Sequence, residues 1–93
     1  MKVARKKPRE PWELVEIENT LEALQAEVGG YIEVVTVCPG LALILKEEEG
    51  AINSSPLNLN IRCHQFFGTV LLCGVDGYEF TDLSLYDLNI LTT

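Results

Sequence analysis

The sequence holds few of the residues from which catalytic and metal sites are usually built. It has one histidine and three cysteines among 93 residues. His64 directly follows Cys63, and neighbours in a strand point to opposite faces, so the two would not form a nucleophile and its base. The gaps between Cys38, Cys63 and Cys73 are too long for paired zinc ligands. We therefore expect a protein that is not an enzyme and that binds no metal or cofactor.

Long apolar stretches are also missing. No run approaches the ~18 apolar residues that a membrane-spanning helix requires. The first residues are charged, and no apolar core of a secretory signal follows them. These absences favour a cytoplasmic protein whose cysteine thiols stay reduced and free.

Basic residues are scarce beyond the first nine positions. The chain has seven lysines and arginines against fourteen acidic residues, a net charge of −7. Five of the seven lie within residues 1–9, so residues 10–93 hold two basic and fourteen acidic residues, a net of −12. Pro8 and Pro11 favour extended backbone before them. The pattern predicts a basic N-terminal arm over residues 1–11 and a single domain over residues 12–93.

The first half of that domain reads as strand, helix and hairpin. Residues 12–18 alternate imperfectly, which is typical of an edge strand. Asn19 is placed to cap a following helix, which should end at Gly29 in a left-handed conformation. Residues 31–37 are mostly β-branched or aromatic, and residues 41–45 are continuously apolar. These two segments predict a hairpin whose second strand is central or covered by the helix.

The sequence pattern in the second half of the domain is less clear. Residues 57–61 alternate like a strand, although a helical turn beginning at Pro56 competes with that reading. Residues 68–73 form a compact apolar strand, and Asp76 with the glycine after it signals a tight turn. A last helix should follow, with Asp82 or Thr81 as its cap. Together the elements predict an α+β domain, with a mostly antiparallel sheet of four or five strands and one or two helices on a face.

Several segments resemble a known family. The run Glu-Asn-Thr-Leu-Glu-Ala-Leu-Gln-Ala-Glu-Val-Gly-Gly-Tyr-Ile-Glu over residues 18–33 is similar to the opening of the family catalogued as domain of unknown function 3846. Residues 43–50, 68–74 and 76–83 resemble its later strands and turns. The family is found in phages, plasmids and other bacterial mobile elements, so the resemblance implies an accessory or anti-defence role in a bacterial host cell.

The acidic body gives the leading functional hypothesis. Carboxylates that share a rigid face can mimic phosphates and occupy a basic groove on a protein that handles DNA or RNA. The candidate residues are Glu13, Glu16, Glu18, Glu22, Glu79 and Asp82. We expect a non-enzymatic protein that binds a host or defence protein, as an anti-CRISPR or anti-restriction inhibitor would, with no direct nucleic-acid binding by the body. The same acidity also serves to keep a small domain soluble.

A small-ligand protein is the alternative hypothesis. Such a protein would sequester a nucleotide signal in a pocket, most naturally at a dimer interface, because a single small domain has little interior. The candidate stacking and phosphate-binding residues are Tyr31, Arg62, Phe66 and Tyr78. Exposed sheet edges and a thin core are also compatible with a homodimer.

Overall fold

The computed structural model describes residues 1–46, 57–61 and 64–84. Within them the chain forms a six-stranded antiparallel sheet, one helix and a separate two-stranded hairpin. The elements in chain order are β1 (Lys2–Lys6), β2 (Glu13–Glu16), α1 (Leu21–Val28), β3 (Ile32–Cys38), β4 (Leu41–Lys46), β5 (Leu57–Ile61), β6 (His64–Phe67), β7 (Val70–Asp76) and β8 (Glu79–Thr81). The predicted α+β class is confirmed, and the main sheet has six strands rather than four or five.

Strand β7 lies at the centre of the sheet. The strand order is β2-β1-β7-β4-β3, and β8 pairs with β7 on the side where β1 lies. Leu72 of β7 faces Ala4 of β1 on one side and Leu43 of β4 on the other. β8 pairs with the last part of β7, so β1 and β8 lie end to end along the same edge of that strand.

The N-terminal basic segment is a strand of the sheet and not an arm. β1 pairs with β2 on one side and with β7 on the other, and Val3 and Ala4 are fully buried. The expected division into an arm over residues 1–11 and a body over residues 12–93 is therefore corrected. The physical reason for the strand is that two small apolar residues, Val3 on one face of the sheet and Ala4 on the other, suffice to anchor it. The side chains of Arg5 and Lys6 keep polar partners at the surface.

Helix α1 covers one face of the sheet. Its N-cap is Thr20, whose hydroxyl accepts a hydrogen bond from the Ala23 amide at 3.2 Å, so the expectation of Asn19 as the cap is wrong. The helix ends at Gly29 with a φ of 87°, as predicted. Its buried residues Leu24 and Val28 pack in one cluster with apolar residues of the sheet: Val3, Ile44, Leu71 and Cys73.

The β5–β6 hairpin packs on the other face. Phe66 is buried there among side chains of the sheet that include Ala4, Leu43 and Leu72. The side-chain amide of Asn58 donates to the carbonyl oxygens of Lys6 and Gly68 at 2.7 and 2.6 Å and ties the hairpin to the sheet. Residues 57–61 thus form the strand, and not the competing helical turn.

The C-terminal part of the sheet is a short hairpin. β7 continues through Asp76, and a two-residue loop at 77–78 leads into β8, so the turn lies slightly later than predicted. Thr81 belongs to β8 and does not cap a helix. The body of the predicted last helix lies outside the described residues. No helix in the described part of the chain is long and apolar enough to cross a membrane.

Candidate functional site

Five of the six predicted surface carboxylates gather at one end of the sheet, where β1 begins and β8 ends. Glu16 lies opposite Lys2 in the β1–β2 register. The Asp82 carboxylate accepts a hydrogen bond from the Lys2 amide at 2.8 Å. Asn19 donates to the Phe80 carbonyl at 2.9 Å, which places the segment after β2 against β8. Glu18 precedes Asn19 and Glu22 follows it by three residues, in the first turn of α1, while Glu79 precedes Phe80 in β8.

A sixth carboxylate joins this group. Asp76 is exposed and pairs with Glu79 across the β7–β8 hairpin. In the sequence, Asp76 carries the signal of a turn residue, which does not indicate its place beside another acid. We call this group the acidic end, which comprises Glu16, Glu18, Glu22, Asp76, Glu79 and Asp82. All six residues are exposed.

Few cations oppose the acidic end. Lys2 and the amino group of Met1 lie among its carboxylates, the amino group 4.0 Å from a Glu16 oxygen. The other described basic residues lie toward the opposite end of the sheet. Lys6 pairs with Val70 at the beginning of β7, and Lys46 with Ile32 at the beginning of β3. Among the described residues, negative charge is therefore in excess at the end where β1 begins.

Glu13 does not belong to the acidic end. Its carboxylate binds Arg5 through two nitrogens, at 2.9 and 2.7 Å, and Arg5 also binds Glu27 of α1 at 2.8 Å. The hydrogen bonds that Arg5 donates to Glu27, and to a smaller extent those to Glu13, raise the pKa of Arg5 above its ordinary value. This bridge connects β1, β2 and the last turn of α1, so Glu13 has a role in holding the helix to the sheet.

The described residues among those proposed for a small ligand are not brought together. Tyr31 lies just before β3 and Tyr78 in the β7–β8 loop, at opposite ends of the sheet. Phe66 is buried in the core and presents no face to a ligand. Arg62 lies outside the described residues. No group of three or more potential metal ligands occurs in the described part of the chain.

The described cysteines have the character of core residues. Cys73 is fully buried in the middle of β7, and this burial raises the pKa of its thiol to about 11. A thiol is nucleophilic only as the thiolate, so a raised pKa makes Cys73 inert near neutral pH. Cys38 is half-buried at the end of β3, and Cys63 lies outside the described residues.

We expect Cys73 to resist alkylation in the folded protein and to react freely once the chain is unfolded. Iodoacetamide labelling at mildly alkaline pH, read by mass spectrometry of the Cys73 peptide, tests this. Burial also raises the pKa of Cys73 in the folded protein above that in the unfolded chain. The protonated thiol therefore contributes fully to the free energy of unfolding below about pH 9, and this contribution is lost as the pH rises toward 11. Cys73→Val should show a smaller loss of stability between these values. Rapid labelling of the native protein would contradict this account.

Comparison with known proteins identifies the family. The domain of unknown function DUF3846 matches residues 1–92. Searches of curated proteins and of solved structures found no similar protein. The match includes β1, the sheet, the helix and the acidic end. The chain therefore belongs to the DUF3846 family.

Proposed function

We propose that this chain is a non-enzymatic binding protein whose acidic end occupies a basic, nucleic-acid-binding surface on a partner protein. The observation that carries the proposal is the gathering of six exposed carboxylates, from segments up to sixty-six residues apart, around the first residues of β1. Such a group presents to a basic groove what the phosphates of a nucleic acid would present.

The positions of these carboxylates suit a rigid surface. Asp82 is fixed by the Lys2 amide, and Glu16 and Glu79 lie within paired strands. Glu22 lies in the first turn of α1, where the helix dipole favours a negative charge. Rigid carboxylates lose little conformational entropy on binding, so more of the electrostatic attraction remains as affinity.

The family resemblance supports a biological setting for this proposal. Members of this family from phages, plasmids and other mobile elements would meet host proteins that recognise or cut foreign nucleic acid. We therefore propose a host or defence protein as the partner, and inhibition of its access to DNA or RNA as the effect. An anti-CRISPR or anti-restriction factor would act in this way, in the cytoplasm of the bacterial host.

Neutralising the acidic end should weaken partner binding far more than the same charge change elsewhere. The test variant is Glu18→Gln with Glu22→Gln. The matched control is Glu10→Gln with Glu33→Gln, because both of these residues are exposed and lie away from the acidic end. We expect the test variant to lose at least about tenfold in affinity, in line with the loss of close charge pairs at an interface.

The experiment begins with capture of partners from bacterial lysates that express defence systems, with washes at low and high salt. Affinities are then measured with the purified partner, with its own nucleic-acid substrate as competitor. Binding should fall as salt rises, and the substrate should displace the chain. Equal losses of affinity in both variants would mean that net charge alone, and not the acidic end, determines binding. Binding that does not change with salt would also contradict the proposal.

A further inference from the structure

The Tyr78 side chain is fully exposed at the tip of the β7–β8 hairpin. Its relative accessible surface is 107%, against 75% for Tyr31. Tyr78 is the second residue of the two-residue loop, and the first, Gly77, has a φ of 64°. A glycine with positive φ at the first position is typical of tight two-residue hairpin loops. The loop therefore presents the aromatic ring on a short and closely defined backbone.

Two carboxylates of the acidic end flank this ring. Asp76 precedes the loop, Glu79 follows it, and the two residues are direct partners in the β7–β8 register. The Cβ atoms of opposed residues in an antiparallel pair lie about 4.5–5.5 Å apart, and like charges at such positions destabilise the pair. A cation bound beside Tyr78 would relieve this repulsion. The hairpin tip therefore combines an open aromatic ring with negative charge that favours a cation.

The chemistry of the hairpin tip suits an arginine side chain. A guanidinium is planar, so it can stack on the face of a tyrosine ring while its N–H groups donate to carboxylates beside the ring. A lysine ammonium is a compact and strongly hydrated charge, and it gains less from a ring face. Nucleic acid is a poor occupant, because the rings on which bases stack usually lie in positively charged grooves, and the two carboxylates would repel phosphates.

We propose that Tyr78 receives an arginine of the partner protein, with Asp76 and Glu79 as acceptors for the same guanidinium. The inference rests on the proposed function and gives the partner's basic surface a more specific chemistry. The other carboxylates of the acidic end attract that surface, and Tyr78 selects arginine over lysine within it. Tyrosine and arginine are both enriched among the residues that dominate the binding energy of protein interfaces.

Two synthetic peptides of equal length test this selection, one alternating arginine with glycine and the other alternating lysine with glycine. Titration calorimetry with the full chain measures the affinity for each. We expect the arginine peptide to bind at least about threefold more tightly, as stacking of a guanidinium on an exposed ring allows. Tyr78→Leu should abolish this preference, and Tyr78→Phe should keep it because the ring face remains. The matched control is Tyr31→Leu, which removes an exposed tyrosine at the opposite end of the sheet and should also keep the preference.

A readout on the wild type needs no variant to fold. The ring proton resonances of Tyr78 should shift more with the arginine peptide than with the lysine peptide, and equal shifts would overturn the inference. So would a wild type without the preference, a Y78L variant that keeps it, or an equal loss in Y31L or Y78F.

The proposed function is judged separately, by the affinity of the variant with Glu18→Gln and Glu22→Gln for the captured partner. If that variant binds like the wild type while Y78L loses the arginine preference, the proposed function fails and the arginine site stands. If that variant binds weakly while Y78L keeps the preference, the proposed function stands and the arginine site fails.

Discussion

Replacing Asn58 with aspartate should detach the β5–β6 hairpin from the sheet. The amide nitrogen of Asn58 donates to two carbonyl oxygens, those of Lys6 and Gly68, at 2.7 and 2.6 Å. A carboxylate in the same place has no hydrogen to donate and would repel both oxygens. Lys6 Nζ, which is 2.7 Å from the Asn58 side-chain oxygen, would offset only part of this. Lost bonds to partly buried groups suggest a fall of about 2–3 kcal/mol in the free energy of unfolding.

Urea unfolding gives that free energy, and amide exchange in β5 and β6 shows whether the hairpin opens before the rest of the chain. Asn19→Asp is the matched control, since it also adds one negative charge but removes a single exposed bond to the Phe80 carbonyl. We expect that change to cost about 1 kcal/mol or less. Similar losses at the two positions, or unchanged exchange in the hairpin, would show that Asn58 does not hold it.

Gly74→Ala should have an effect of similar size at the other end of the sheet. A Cβ atom at Gly74 would lie 2.7 Å from both the carbonyl oxygen of Asp82 and the hydroxyl of Thr81. The Asp82 carbonyl cannot move alone, because the neighbouring Leu83 amide donates to the Lys2 carbonyl at 2.8 Å. The alanine would therefore push the end of β8 away from β7 and disturb the bond between Leu83 and Lys2. Overpacking of this kind costs typically about 1–3 kcal/mol, and we expect the upper part of that range.

Thermal unfolding measures this change, and a loss of 2 kcal/mol or more corresponds to roughly 10 °C in a domain of this size. Gly30→Ala is the control, because its new Cβ would meet only the flexible Lys46 side chain, at 3.1 Å. That variant should stay within about 0.5 kcal/mol of the wild type or gain slightly from a less flexible unfolded chain. If the G74A protein is as stable as the G30A protein, the end of β8 can shift to accommodate the added Cβ at little cost in stability.

The strands β3 and β4 were predictable because their signals are local. Residues 31–37 are β-branched and aromatic, residues 41–45 are apolar at every position, and Pro39 with the following glycine marks the turn between them. Gly29 likewise ends the helix through its own conformational freedom. Each of these features depends on residues within a few positions of one another, so the sequence pattern contains the necessary information.

β1 was not predictable in the same way. Its basic residues hide the two apolar ones, and its stability comes from pairing with β7, which begins at Val70. The choice between Asn19 and Thr20 as helix cap is also non-local. Either side chain can cap a helix, and Asn19 is diverted because the Phe80 carbonyl lies beside it.

The acidic end depends on both local and non-local information. The sequence identifies which residues are acidic, but only the sheet brings Glu16 beside Lys2 and sets Asp76 against Glu79. It also separates Glu13, which lies three residues before Glu16 in the same strand, by pairing it with Arg5. Residues two strands apart cannot be grouped from composition alone, because the grouping depends on strand order and register.

The central position of β7 has a consequence for protein synthesis. The N-terminal hairpin of β1 and β2 and the hairpin of β3 and β4 are joined through β7, which leaves the ribosome after all of them. Until then the growing chain exposes the apolar edges of both hairpins, a state that favours association with other unfinished chains. The yield of folded protein in a cell should therefore depend on how quickly β7 is translated. It should also depend on chaperones that shield β1 and β4 until β7 pairs with them.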